Sequence, residues 1–486
     1  MLVFFSAFLC IFSVFCACRI DFKFNLCFND VTNILYSERI TFMANNIRKT
    51  PGDTAWFMHD RFGMFIHFGL YSVAGRHEWL KYHECTTNEE YDKYLERFNP
   101  DLFDPKEWAR QAKAAGMKYA VLTTKHHEGF CLFDSQYTDY KITNTPYGKD
   151  LVREYVEAFR EAGIKVGLYY SLIDWHHPDF TIDWVHPRRF DPDAEEQSAR
   201  CNFDNYIEYM HNQVREIMTN YGKIDILWFD FSYKKPGYGA LNNEKPLPWM
   251  KGKGKEEWQS EKLIKMIREL QPGIIINNRA DIEQDTVTPE QSQPICWPRH
   301  KETGEKMVWE VCQTFSGSWG YHRDEMTWKS PEMLIGLLIN TVSRGGNLIM
   351  NVGPTARGNF DARAINALGV YEKWMKYNSA SIYGCTEAEG FEEPRDARLT
   401  MSEDGKRLYV HLMAYPFGKI AIKGLRGKIK DARFLHDGSE LLFAEKKAYS
   451  ELPMFDGMYD EDGWVYINLP TVKPDVVIPV IEINLK

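Results

Sequence analysis

Ile224-Asp225-Ile226-Leu227-Trp228-Phe229-Asp230 decides the fold. The run is apolar between two aspartates, and its β-branched and aromatic residues suit a strand covered on both faces. Working outward, the same unit recurs: a short apolar strand, then an amphipathic helix. Further strands read at Phe62–Phe68, Tyr119–Thr124, Lys165–Ser171, Ile274–Asn277, Met307–Val311 and Asn347–Val352. Helix punctuation lies between them. Asp104-Pro105 is an N-cap with proline at the first helical position, and Gly116 closes that helix. Gly163 closes Arg153–Ala162, Ser330-Pro331-Glu332 opens a helix ending near Gly345-Gly346, and Asp361 caps one running toward Tyr377. Strands alternating with helices imply an α/β fold with a parallel sheet and helices outside it. Seven or eight such units over roughly 330 residues predict a TIM-like (β/α) barrel.

After about Glu387 the texture changes. Leu399–Met401 and Arg407–Met413 flank a Glu-Asp-Gly turn, Lys428–Leu435 and Glu440–Phe443 flank Asp437-Gly438, and Trp464–Leu469 and Val476–Ile483 follow. Short strands with such turns predict a C-terminal antiparallel β-sandwich. The expected organisation is an N-terminal extension over 1–49, a catalytic barrel over 50–385 and a sandwich domain over 386–486.

The formal net charge of −9 gives no electrostatic drive toward nucleic acid or an anionic membrane surface. Fourteen tryptophans serve either a large aromatic core or a carbohydrate site, where aromatic faces meet the C–H faces of a sugar. The ten cysteines include no CxxC pair, which speaks against a zinc knuckle or redox motif. Leu2–Phe15 is almost purely apolar and Cys16-Ala17-Cys18 offers small residues for cleavage, as in a secretory signal, yet no basic residue precedes the run. The run is too short for a stable membrane span. Met43 is an alternative start. The expected compartment is therefore extracellular or secretory if the N-terminus is a signal, and cytoplasmic if translation begins at Met43.

Active sites of such barrels lie at the C-terminal ends of the strands, which sorts the carboxylates. Asp225 opens its strand, at the end that serves stability. Asp230 closes it and shares a face with Trp228. Asp230 is thus the candidate nucleophile, against the plainer reading of a helix cap or loop aspartate. A general acid/base requires a second carboxylate. Glu290 lies on the loop after the strand ending Asn277-Asn278-Arg279, and Glu310 ends the following strand beside Trp309. Either one could face Asp230, or be a structural, salt-bridged glutamate. His67, His126 and His127 close two other strands. His77-Glu78 begins like H-E-x-x-H, but His83 comes two residues too late for a zinc site. There is no P-loop, no GxGxxG after a strand and no GxSxG elbow.

Longer motifs then carry a resemblance. Arg61-Phe62-Gly63-Met64-Phe65-Ile66-His67-Phe68-Gly69-Leu70-Tyr71-Ser72 resembles the opening barrel strand of the family 29 α-L-fucosidases. Tyr119 through Phe130, Gly167-Leu168-Tyr169-Tyr170-Ser171, Leu227-Trp228-Phe229-Asp230, Ser318-Trp319-Gly320-Tyr321 and Gly345 through Pro354 resemble later parts of the same barrel, in order. The resemblance implies Asp230 as nucleophile. It implies His67, His126, His127 and Glu78 as holders of fucose hydroxyls, Trp79, Tyr170 and Trp228 as pocket walls, and Arg279 near the carboxylates. Glu290 in Thr-Pro-Glu-Gln would be the acid/base, with Glu310 as fallback. The implied enzyme is an exo-acting retaining α-L-fucosidase working by double displacement on fucosylated oligosaccharides or glycoconjugates, with no cofactor and no metal. Its carboxyls would stand about 5–5.5 Å apart and Glu290 would have a raised pKa. A non-catalytic fucose-binding protein on the same scaffold is the alternative, and a metal-dependent hydrolase built on the histidines a third. The sequence is compatible with a homo-oligomer and leaves the preferred linkage open.

Overall fold

The computed structural model describes residues 46–235, 247–445 and 464–486. The apolar N-terminal run and the alternative start at Met43 lie outside the described residues. Arg48–Lys486 forms one compact unit.

Seven strands build a curled parallel sheet: β1 (Phe62–Ile66), β2 (Tyr119–Lys125), β3 (Lys165–Ser171), β4 (Ile226–Asp230), β5 (Ile275–Ile276), β6 (Glu310–Thr314) and β7 (Asn347–Val352). Their order is β5-β4-β3-β2-β1-β7-β6, every neighbouring pair parallel. Helices cover the outer face, so β1, β2, β6 and β7 are buried along their whole length. The helix punctuation works as the sequence reads. Asp104 accepts from the amides of Lys106 and Glu107 with Pro105 in the first turn, and Ser330 accepts from Met333 ahead of Pro331–Val342.

The seam between β5 and β6 is crossed by residues 285–291, which make single parallel bridges: Thr286 with Asn277, Val287 with Trp309, and Glu290 with Cys312. The Gln291 amide donates to the Cys312 carbonyl and the Glu310 amide to the Val287 carbonyl. This segment is an irregular eighth stave, and Glu290 rides on it.

One strand lies elsewhere than expected. The sequence reading ends a strand at Val311, with Glu310 near its exit. In the structure β6 starts at Glu310 and runs on to Thr314. Met307–Trp309 approaches the barrel by pairing with Pro298 and with the 285–291 stave instead. Glu310 therefore sits at the start of its strand and away from the mouth.

After the long helix Ala362–Asn378 the chain becomes antiparallel. β8 (Cys385–Glu387), β9 (Ala397–Ser402), β10 (Arg407–Leu412), β11 (Lys419–Lys423), β12 (Ile429–Phe434), β13 (Phe443–Ala444), β14 (Trp464–Asn468) and β15 (Val480–Leu485) form a five-stranded sheet, β12-β15-β10-β9-β8, and a three-stranded one, β11-β14-β13. Leu399, Val410 and Ile481 of the first sheet share a core with Ile422, Val465 and Ile467 of the second. Strand β11 is absent from the sequence reading, since Lys419 and Lys423 frame only a short apolar stretch. Arg61 ties this region to the barrel floor: its guanidinium donates to the carbonyls of Cys385 at 2.9 Å and Gly345 at 2.7 Å.

Candidate active site

Asp230 is the last residue of β4, and its position follows from local pairing. The Asn277 side chain accepts from the Phe229 amide at 3.0 Å and donates to the Phe229 carbonyl at 2.8 Å. One side chain thus replaces a rung of the β4–β5 ladder, and the backbone turns away through Asn278–Ala280. That turn delivers Arg279 to the mouth. Phe231, directly after Asp230, has φ 79°, and Gln291, directly after Glu290, has φ 53°. A positive φ on a bulky residue is a strained conformation that clusters at functional sites. Here it turns the chain sharply behind each carboxylate.

Three charged groups meet. Nη1 of Arg279 donates to Oδ1 of Asp230 at 2.8 Å and to Oε2 of Glu290 at 2.8 Å. Two oxygens bound to one nitrogen lie no farther apart than twice that contact. Nε and Nη2 of Arg279 donate to the Thr288 hydroxyl and carbonyl, and its guanidinium lies 4.6 Å from the Trp228 ring centre. Burial works against the Arg279 charge, but Asp230 and Glu290 outweigh it and hold the guanidinium well above its usual range. The other oxygen of Asp230 accepts from the Tyr169 hydroxyl at 3.0 Å. Burial and the Asp230 charge hold the Tyr169 phenol well above its ordinary value, so it stays a donor. The Glu290 carboxyl is raised above the usual glutamate value by burial, opposed by Arg279 and aided by Asp230. The Asp230 side chain is 14% exposed and that of Glu290 38%, so water reaches Glu290 more readily.

A cavity of about 370 Å³ opens over these groups, walled chiefly by Phe65, Trp79, Tyr169, Trp228, Phe231 and Trp319. Its polar side carries His67, His126 and His127. Each histidine is fixed through Nδ1: His67 to Asn351 Oδ1 at 2.6 Å, His126 to Glu128 at 3.2 Å, His127 to the Ser171 hydroxyl at 2.7 Å. Asn351 spends its amide N–H on the Trp319 carbonyl and Ser171 its proton on the Ile173 carbonyl. Both therefore accept from the imidazole, which leaves Nε2 of His67 and His127 as an acceptor for a ligand hydroxyl. Burial, reinforced by the adjacent histidine His126 and for His127 also by Lys125 and Arg279, holds His67 and His127 well below their usual pKa. Nε2 of His127 stands 3.9 Å from Asp230. The turn after these histidines needs Gly129: its φ is 86°, and a Cβ would meet Asp174 at 2.2 Å.

The structure thus gathers Asp230, Glu290, Arg279, His67, His126, His127, Trp79 and Trp228 around one cavity. It places three predicted residues elsewhere. Tyr170 points outward, donating to Gln213 at 2.8 Å under the Lys125 ammonium. Tyr169 takes the pocket place, because it pairs in register with Trp228 and shares its inward face. In a strand buried on both sides, alternation leaves the inward phase open. Glu78 is buried behind the wall, where it accepts from the Gly320 amide at 2.8 Å and the Ser318 hydroxyl at 3.3 Å, holding the loop that presents Trp319. Glu310 lies inside the barrel, away from the lining, for the reason given above. Sequence reading missed Phe65, Tyr169, Phe231, Cys312 and Trp319 as lining. The phases of Trp228 and Asp230 carry over to Tyr169 once the register is known. Phe65 likewise shares the phase of His67, two residues on, and Trp319 lies within the quoted Ser318–Tyr321 motif.

The family model described as α-L-fucosidase matches residues 33–380. An α-L-fucosidase of Dictyostelium discoideum is 28% identical over 391 residues, covering 73% of this chain and 76% of that protein. The solved structure of α-L-fucosidase isoenzyme 1 from Paenibacillus thiaminolyticus superposes with a TM-score of 0.79 at 43% identity, covering 89% of this chain and 98% of that one. An α-L-fucosidase from Bacteroides thetaiotaomicron, solved as a trapped covalent intermediate with 2-fluoro-fucosyl fluoride, superposes at 0.72 with 28% identity over 91% of this chain and 97% of its own. The barrel with two carboxylates at its mouth is that of a glycoside hydrolase. The chain belongs to the α-L-fucosidase family.

Proposed function

We propose that the protein is an exo-acting, retaining α-L-fucosidase that removes terminal fucose from oligosaccharides or glycoconjugates by double displacement. One observation carries the reading: Asp230 and Glu290 each contact the same Arg279 nitrogen at 2.8 Å. Carboxyls about 5–5.5 Å apart suit a nucleophile and an acid/base on one bond, whereas inverting enzymes need about 6.5–9.5 Å to admit a water. The trapped covalent intermediate of the Bacteroides relative agrees with this chemistry for that protein.

The Asp230 carboxylate attacks the anomeric carbon while Glu290, whose pKa burial and the Asp230 charge raise against the pull of Arg279, gives its proton to the departing oxygen. The Tyr169 hydroxyl and Arg279 fix the attacking carboxylate, so little reorganisation remains at the moment of reaction. Loss of the Asp230 charge in the fucosyl-enzyme lowers the pKa of Glu290, which then takes a proton from water and releases fucose with retained configuration. Neutral His67 and His127 accept hydrogen bonds from sugar hydroxyls, and Trp79, Trp228 and Trp319 present apolar faces to the ring and methyl group.

Turnover of 4-nitrophenyl α-L-fucoside, with proton NMR of the first sugar released, tests the reading. α-Fucose as the initial product supports it, and β-fucose overturns the double displacement. Binding of fucose with no hydrolysis of aryl or natural fucosides would instead establish a binding protein.

A further inference from the structure

We propose that Glu310 is a positioning residue: from inside the barrel it holds the Trp228 indole in the orientation that faces Arg279. The inference rests on the fucosidase reading of the site. Trp228 Nε1 donates to Oε2 of Glu310 at 3.2 Å, and the Tyr119 hydroxyl donates to Oε1 at 2.6 Å. The Asn347 amide in turn reaches Tyr119 at 3.4 Å. Residues of β7, β2, β6 and β4 are thereby linked across the barrel interior, and the last of them is the pocket floor. The Trp228 ring is also met by Phe65 at 5.1 Å, by Tyr169, stacked at 5.8 Å, and by the Arg279 guanidinium at 4.6 Å. That guanidinium holds both Asp230 and Glu290.

The chemistry of Glu310 is hard to explain as packing. Its residue is 2% exposed, and no ion pair to it occurs among the described residues. A carboxyl buried without a cation costs stability that a leucine of similar volume would not. A buried indole N–H, however, needs an acceptor, and Glu310 supplies it. The titratable groups that approach the carboxyl are Tyr119 and Cys312, which remains a neutral thiol because burial raises its pKa far above the ordinary value. Burial holds Glu310 itself up at about 7. Either protonation state keeps the Trp228 bond, since the protonated oxygen can turn to the Tyr119 hydroxyl. Glutamine should do the same, with its carbonyl on Trp228 and its amide on Tyr119.

Three variants test this in the full-length protein: E310L, E310Q and W228F. Turnover of 4-nitrophenyl α-L-fucoside is read as separate kcat and KM for folded enzyme. ¹⁵N-labelled tryptophan gives the indole N–H spectrum, in which the Trp228 signal is the one lost in W228F. E310L should lower kcat by about ten- to a hundredfold, as small misplacement of catalytic groups does. KM should change less, the Trp228 signal should move, and E310Q should restore kcat and largely restore the signal. A wild-type kcat in folded E310L overturns the proposal, as does an E310Q as impaired as E310L. E310M, nearer to glutamate in length, takes the place of E310L if the leucine variant fails to fold. The indole signal needs no substrate. If wild type turns over neither the aryl nor natural fucosides, the fucosidase reading falls while the spectrum still decides the positioning. If wild type turns over and E310L equals it, only the positioning falls.

Discussion

The mouth of the barrel and its sealed interior each hold a glutamate whose carboxyl burial pushes above the usual range. Glu290 at the mouth touches a guanidinium, faces a second carboxylate and opens to solvent. Glu310 in the interior touches only neutral donors, Tyr119 and Trp228, and is shut off from water. A raised pKa therefore does not by itself find the acid of a glycosidase. Contact with the cavity, an opposite charge and a partner carboxylate do, because general acid work needs a proton that can leave and return.

The largest break in the comparison should come at the mouth. Asp230→Asn removes the nucleophile and should cut kcat about 10³-fold or more, with the melting temperature nearly unchanged, because the amide still accepts from Tyr169. Retained turnover in D230N would place the nucleophile elsewhere. Glu290→Ala comes next. It should lose about 10²–10⁴-fold on natural fucosides, and added azide should restore turnover of the aryl substrate as the α-configured or β-configured azide assigned by NMR. In a double displacement the product is the α-azide, because azide attacks the β-linked fucosyl-enzyme from the opposite face where the base is missing. No rescue in E290A would remove Glu290 from the acid/base role.

Arg279→Met sharpens the contrast by taking away the cation that Glu290 touches. It should reduce kcat by about 10²-fold through lost positioning. Because Arg279 lowers the Glu290 pKa, the alkaline limb of the pH–activity profile should also move to higher pH. An alkaline limb that stays in place, or falls, would mean that another group sets it.

The smallest effect belongs to the interior. The folded Glu310 carboxyl sits at about 7 against an ordinary 4.5. The folded state therefore holds the proton more tightly than the unfolded chain does. This contribution is fully present below about pH 4.5 and is lost as pH rises through about 7. Between those values wild type should lose stability relative to Glu310→Gln, by a few kcal/mol at most. Parallel denaturation curves of the two proteins at pH 5 and pH 8 would exclude that shift.

The molecule was legible where periodicity is local. Asp104-Pro105 and Ser330-Pro331 open helices in the structure because caps act within one turn. The β4 strand ends at Asp230 as its apolar run does. Glu310 and Tyr170 were not legible, because each depends on a phase. An apolar run approaching a barrel reads like the strand itself, so the entry point of β6 shifts by three residues and moves Glu310 from exit to entrance. In the doubly buried β3, Tyr169 and Tyr170 look alike until pairing with β4 turns one of them inward. Residues 285–291 carry no strand pattern at all, since they pair by single bridges to two different neighbours.

By itself the sequence determined the alternation of strands and helices, the antiparallel region after it, and an aspartate at the end of a central strand. All of these are written in spacing along the chain. Only the tertiary structure decided that Glu290 and not Glu310 meets Asp230, that Arg279 grips both, and that Tyr169 donates to the nucleophile. The contacts that Arg279 and Tyr169 make with Asp230 join residues 49 and 61 positions apart in the chain. They exist because curling the sheet brings the strand ends together around one cavity, where partly buried charges are stabilised by pairing with one another.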